Sequence, residues 1–164
     1  MSTARILGID PGTHRVGWGI IEGPARDPVL VQCGCIESAP HTPKDRYLQK
    51  IAKDLGDILR SYTPDVVSLE TLLFQKNVKT AISVAEARGV IIQTVAAHGI
   101  PVAEYAPNTV KSAVGGSGKA GKREVERMVG LLLNIHAEKL LDDTTDALAI
   151  ALTARAMQGI MKKL

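Results

Sequence analysis

Apolar and polar positions along the chain follow one period first and another later. Ile6-Leu7-Gly8-Ile9 is an apolar run closed by Asp10-Pro11-Gly12, too short for a stable helix and cut off by a turn pair, so it predicts a buried strand ending at Asp10. Thr13-His14-Arg15 is a polar turn, Val16 to Ile21 resumes as a strand, Pro24 to Pro28 turns again, and Val29 to Ile36 supplies a third strand. These three predict consecutive antiparallel strands. Thr42, as N-cap with Pro43 at the first helical position, then opens a helix in which Tyr47, Leu48, Ile51, Leu55, Ile58 and Leu59 recur at helical spacing. Val66-Val67-Ser68-Leu69 is a second short apolar strand, and it too ends in a carboxylate, Glu70.

Asn77 to His98 reads as a long Ala/Val/Ile helix stopped by Gly99 and Pro101, and Val102 to Tyr105 as a fifth strand. Pro107 to Val114 predicts a short helix, residues 115–121 a glycine-rich loop, Lys122 to Leu133 an amphipathic helix, and the stretch from Asp142 toward Lys163 a last helix. Alternation of strand and helix in the second half implies parallel pairing through right-handed crossovers. The expected fold is α/β, a mixed five-stranded sheet flanked by helices. With 164 residues and no linker or repeat, one domain spanning 1–164 is expected.

Composition changes this picture little. Aromatics make up only 3%, so Ile, Leu, Val and Ala must build the core, and the net charge of +3 matters less than its distribution. Cys33 and Cys35 lie one pleat apart in a strand, a poor geometry for a disulfide and an incomplete metal site, so both are expected as buried or half-buried thiols in a reducing compartment. The start lacks a signal h-region and no stretch approaches a membrane span, so a cytoplasmic protein is expected.

The acids carry the chemistry. If the first and fourth strands lie side by side and parallel, Asp10 and Glu70 end together. Asp143 and Asp146 stand three apart at the start of the last helix and share one face of its first turn. Each acid alone has a structural explanation, Asp10 as a turn residue and Asp142 as a helix cap or dipole partner. Together, two strand-end acids and an acidic helix start predict a carboxylate cluster that needs hard divalent cations, Mg²⁺ or Mn²⁺, as a pair of ions suited to phosphodiester hydrolysis. Lys111, Lys119, Lys122, Arg123 and Arg127 crowd the region after the fifth strand, and Lys76, Lys79 and Arg88 follow Glu70. Basic groups flanking an acidic centre suit a polyanionic substrate, although such runs also serve as solvated faces. The loop at 115–121 lacks the Lys-Ser/Thr ending of a P-loop and is expected to touch DNA instead. Leu73 and Phe74 are candidates for an apolar wedge between bases, or for core.

At these residues the chain resembles the RuvC family of Holliday-junction resolvases. The resemblance rests on Gly8-Ile9-Asp10-Pro11-Gly12 with Gly17-Trp18-Gly19, Leu69-Glu70, Asn77 to Ala81, Ala87-Arg88-Gly89-Val90, Glu104-Tyr105, Val110-Lys111, and Asp143-Thr144-Thr145-Asp146 running on to Ala151. It implies the retroviral-integrase or RNase H-like fold, with Asp10, Glu70, Asp143 and Asp146 as metal-binding catalytic acids and Lys111 and Lys122 against the DNA backbone near the cut. The activity it implies is symmetrical nicking of a four-way junction by a homodimer after branch migration by RuvA and RuvB, with a preference for a short T-rich sequence. The family often carries two aromatic or aromatic-Met residues where this chain has Leu73 and Phe74. Three alternatives stay open: a RuvC-like nuclease acting on ribosomal RNA ends, a non-catalytic junction-binding module, and an actin-like ATPase lobe. The Lys111 to Lys122 block argues against the first, the four acids against the second, and the single lobe against the third.

Overall fold

The computed structural model describes residues 4–72 and 78–161. In chain order the elements are β1 (Ile6–Pro11), β2 (Arg15–Glu22), β3 (Val29–Glu37), α1 (Lys44–Tyr62), β4 (Val66–Glu70), α2 (Val78–Ala97), β5 (Val102–Tyr105), α3 (Pro107–Gly115), α4 (Lys122–Leu133), a 3-10 turn (Ala137–Lys139) and α5 (Asp142–Met161). They form one five-stranded sheet in the order β3-β2-β1-β4-β5. The three strands joined by short turns pair antiparallel, and β1 pairs β4, and β4 pairs β5, in parallel. The mixed sheet follows from connection length, since a turn can reverse the chain but a parallel neighbour needs a helical crossover.

β1 and β4 are covered on both faces, which is why they read as continuous apolar runs. Leu7, Ile9, Val67 and Leu69 pack beneath α1 and α2 with Tyr47, Ile51, Leu55 and Ile91. Ile6, Ile21 and Val66 pack on the opposite face with Leu148 and Ile150 of α5 and with Val110, Val125 and Val129 of α3 and α4. α5 is apolar around its circumference because the sheet lies on one side of it and α3 and α4 on the other.

Two sequence expectations are corrected. β1 does not stop at Asp10: the parallel ladder with β4 ends at Ile9 and Leu69, but pairing with β2 continues through Asp10 with Gly17 and Pro11 with Val16. Thr42 does not cap α1. Its hydroxyl donates to the Ala39 carbonyl at 2.6 Å, and Pro43 stands at the N-cap with no side-chain bond, as a ring without an N–H suits the edge of a helix.

Two glycines set the distance between sheet and helix. A Cβ on Gly8 would collide with the Ala147 carbonyl and stand 2.7 Å from the Ala151 amide nitrogen. One on Gly17 would collide with the Asp143 carbonyl and stand 2.8 Å from the Thr144 nitrogen. The obstructing atoms are backbone, so the helix itself would have to lift. Thr144 fastens the same end by donating its hydroxyl to the Gly34 carbonyl of β3 at 3.1 Å. Gly8→Ala is therefore expected to cost about 3 kcal/mol, the upper part of the range for overpacking, and to lower the Tm by roughly 6–12 °C. Thermal melts of the two proteins check this, and a change under 2 °C would show that α5 is not seated as described.

Candidate active site

Strand parity brings the first two acids together. Ile6, Gly8 and Asp10 alternate onto the α5 face of β1, and Val66, Ser68 and Glu70 onto the same face of β4, since Ile6 is in register with Val66 and Gly8 with Ser68. The next step beyond the parallel ladder places Asp10 beside Glu70. Above them, Ser68 donates from its buried hydroxyl to the Leu7 and Ile150 carbonyls at 3.4 and 3.5 Å, tying both strands to the helix. Asp146, one turn into α5, joins Asp10 and Glu70 in the wall of a cavity of about 320 Å³ that also holds Lys111 and Lys122. Around the sheet edge, Asp10 and Glu70 also face a cavity of about 510 Å³ closed by Thr80, Val84 and Arg88 of α2. The two acids thus form the ridge of a cleft running from α4 to α2.

Asp143 and Asp146 do not point to one spot. Asp143 turns toward the β1–β2 turn, where Arg15 Nε lies 3.1 Å from Oδ2, an oxygen that is buried and out of line for a hydrogen bond. Asp146 turns toward α4, where Lys122 Nζ stands 3.5 Å from it and 3.1 Å from Asp142. Among the described residues no three His, Cys, Asp or Glu side chains are gathered closely enough to hold an ion as they stand. The four acids share a field rather than a point, because Arg15 and Lys122 draw the two helix acids aside. Asp142 is expected from sequence to cap α5. The structure places it in the first turn, with the Leu141 carbonyl accepting from Thr144 and Thr145 and the Asp142 carboxylate paired to Lys122.

The field is strong. Burial raises Asp10 most, and the charges of Asp146, Asp143 and Glu70 raise it further, to about 8, against some relief from Lys122. Burial also raises Glu70, helped by Asp146 and opposed by Lys111. Asp146 is raised by burial despite Lys122. Burial alone would lower Lys122, but its bonds to Asp142 and Asp146 raise it. The set is chemically suited to a hard divalent cation: carboxylate oxygens only, partly dehydrated, with mutual repulsion that a cation relieves. Burial first, and then the charges of Asp143 and Glu37, push the Cys35 thiol up to about 11. A carboxyl raised in the folded state binds its proton more tightly there, so stability falls as pH rises from 3.8 toward about 8. Asp10→Asn is expected to raise the Tm of chelator-treated protein by roughly 5 °C or more at pH 8 and hardly at all at pH 4. Melts at the two pH values check this, and equal shifts would refute it.

The cations divide into four groups. Lys111 and Lys122 are exposed at the cleft, and Lys119 is exposed in the neighbouring loop. Arg123 points away from the acids, into a groove on the outer side of α4 with Arg127 and Ile135. Lys79 is exposed on the first turn of α2. Arg88 is engaged internally: its guanidinium donates to the Glu70 carbonyl at 3.0 Å and pairs with Glu104 at 2.7 Å, with only 12% of the side chain exposed. It braces the backbone that carries Glu70 instead of presenting a free charge. Lys76, Leu73 and Phe74 lie outside the described residues. Sequence reasoning missed Arg15; the signal for it was a cation directly after the turn that follows Asp10.

The family profile described as crossover junction endodeoxyribonuclease RuvC matches residues 6–154. A RuvC of Pelotomaculum thermopropionicum is 42% identical over 147 residues, 90% of each chain. One of Thermomicrobium roseum is 43% identical over 149 residues, again 90% of each. Among solved structures, Thermus thermophilus RuvC in complex with a Holliday junction substrate superposes with a TM-score of 0.86 at 27% identity, covering 96% of both chains. A profile match across most of the chain, relatives of this identity and the shared fold lead to one conclusion: the chain belongs to the RuvC family of crossover junction endodeoxyribonucleases.

Proposed function

We propose that this chain resolves four-way DNA junctions by paired, symmetrical nicks, with Asp10, Glu70, Asp143 and Asp146 as its metal-binding catalytic acids and Mg²⁺ or Mn²⁺ as the ions, two per site. The observation that carries the reading is that Asp10 and Glu70, each one residue past the parallel ladder of β1 and β4, share a cleft with Asp146 of α5 and with Lys111 and Lys122. A relative of this chain was solved on a Holliday junction substrate, which supports the same substrate here. When bound, the ions supply a nucleophile near neutral pH and neutralise charge on the reacting phosphodiester. Hydrolysis adds one water across the P–O3′ bond, leaving a 5′-phosphate and a 3′-hydroxyl. Lys111 and Lys122 stand beside the acids, where they receive the phosphates flanking the scissile one. Arg88 keeps the Glu70 backbone in place. Lys79 and Lys119 extend the basic path, Arg123 belongs to it only at its margin, and Lys76 is included as a DNA-binding residue from the sequence alone.

The homodimer has support in α2. Val78, Ile82, Ala85, Gly89, Ile92 and Ala96 recur at alternating spacings of four and three, the seam of a helix that packs on another. Val78 is 67% and Ile82 51% exposed, and nothing lies within 4 Å of a Cβ placed on Gly89. A second copy seated on this face would place two cutting sites on one junction, which paired nicking requires. RuvA and RuvB are proposed as the branch-migration partners on the strength of family membership alone. Among the described residues no helix is long and apolar enough to cross a membrane.

Asp146→Asn is expected to reduce cutting of a strand-labelled junction by more than about 100-fold, beyond the loss typical of an outer-shell metal partner, with junction affinity within about threefold of the parent. Asn matches Asp146 in size and removes one of the charges that repel Asp10, so the variant should fold normally. Cutting at parental rates in both metals would sink its assigned role. Ile82→Glu is expected to raise the dimer dissociation constant at least about tenfold, roughly 1.4 kcal/mol, and to turn paired nicks into single ones. Sedimentation showing an unchanged dimer would remove α2 from the interface.

A further inference from the structure

A further cavity, of about 370 Å³, lies across the first turn of α2 from the acids. Thr80 lines both this cavity and the one that faces Asp10 and Glu70, so the two are successive stations along one trough. Its walls carry Thr13, His14, Lys44, Lys79, Ser83 and Glu86. Lys44 pairs with Glu86 at 2.8 Å, on a carboxylate oxygen that is buried. Two lysines against one glutamate leave a single formal positive charge, the complement of one phosphodiester. The walls are fixed from behind: Tyr47 donates its hydroxyl to the Gly12 carbonyl at 2.9 Å, and Ser38 donates its backbone N–H to the His14 carbonyl at 3.1 Å. Such a rigid, hydroxyl-lined, singly cationic hollow resembles a preformed anion seat more than a solvated surface.

We propose that this cavity is a strand-holding subsite that takes one backbone phosphate of the cleaved DNA strand, displaced along the strand from the scissile phosphate. It rests on the reading of the chain as a junction nuclease. A strand laid across Asp10 and Glu70 must leave the acidic ridge on both sides. Toward α4 it meets Lys111 and Lys122; toward α2 it meets Thr80 and then Lys79. The ridge repels the backbone, so cationic seats on both flanks hold the strand down across it. Lys44 acts with Glu86 as an oriented donor, Lys79 supplies the uncompensated charge, and His14, Thr13 and Ser83 supply short polar contacts.

The test is a set of four-way junctions, each with one neutral methylphosphonate, walked along the scissile strand in both directions. Binding to the parent protein and to Lys79→Met is measured in chelator over a range of salt concentrations. Lys79 is exposed, so the variant is expected to fold. It should bind about five- to tenfold more weakly at low salt, with a slope of log affinity against log salt shallower by about 0.9, one phosphate contact. One methylphosphonate position should cost the parent the same amount and cost Lys79→Met nothing further. Losses that simply add at every position would overturn the subsite, as would an unchanged slope. Stabilisation by inorganic phosphate that vanishes in Lys79→Met, with no sensitive methylphosphonate position, would reassign the cavity to a small anion and overturn it too. If the parent fails to cut the unmodified junction in Mg²⁺ or Mn²⁺, it is the nuclease reading that has failed, not the subsite alone.

Discussion

Helix α5 can bring its acids to the sheet only because β1 and β2 present no side chain at Gly8 and Gly17. Asp10 is in register with Gly17, and the Asp143 and Thr144 backbone rests on Gly17. The same contact that closes the core thus sets the distance between the strand acids and the helix acids. An element packed against backbone has no compressible layer in between, so a single methyl is felt as a displacement of the whole helix. Core packing and catalytic geometry here are one constraint seen from two ends of α5.

The second constraint is electrostatic. Crowding carboxylates at the ends of two inner strands costs stability, and the chain limits this cost by placing Arg15 against Asp143 and Lys122 against Asp142 and Asp146. Asp10, the innermost acid, keeps the largest uncompensated repulsion. That gradient, from paired outer acids to an unpaired inner one, makes Asp10 the group whose ionisation gains most from a nearby cation.

Most of the fold was legible from periodicity. The change from alternation to helical spacing after β3, and the second short apolar strand at β4, were enough for a mixed sheet with β1 beside β4. The errors lie where local signals compete: Thr42 has the chemistry of an N-cap, yet its hydroxyl finds the Ala39 carbonyl first, and β1 outlasts its parallel ladder because β2 still pairs with it. At the site, strand-end position was enough to bring Asp10 and Glu70 together, as the cleft shows, but nothing in one sequence shows where a long side chain will turn. Arg88, read as a cation for DNA, folds inward to Glu70 and Glu104. Arg15, unremarked in a turn, reaches Asp143.

Arg88 also shows how the α2 face and the cleft are coupled. Its backbone lies on α2, its guanidinium holds the Glu70 carbonyl on β4, and Glu104 at the end of β5 fixes its other side. The neighbouring turn of α2 presents the exposed apolar seam at Ile82 and Gly89. A second copy on that seam, the docking proposed above, would press on the helix whose Arg88 braces Glu70. The coupling passes through one buried guanidinium and two hydrogen-bonded strand ends, a short, rigid path. Under the proposed dimer, assembly and the placement of Glu70 would share one helix, so separating the copies would disturb the acids as well as remove the second cut.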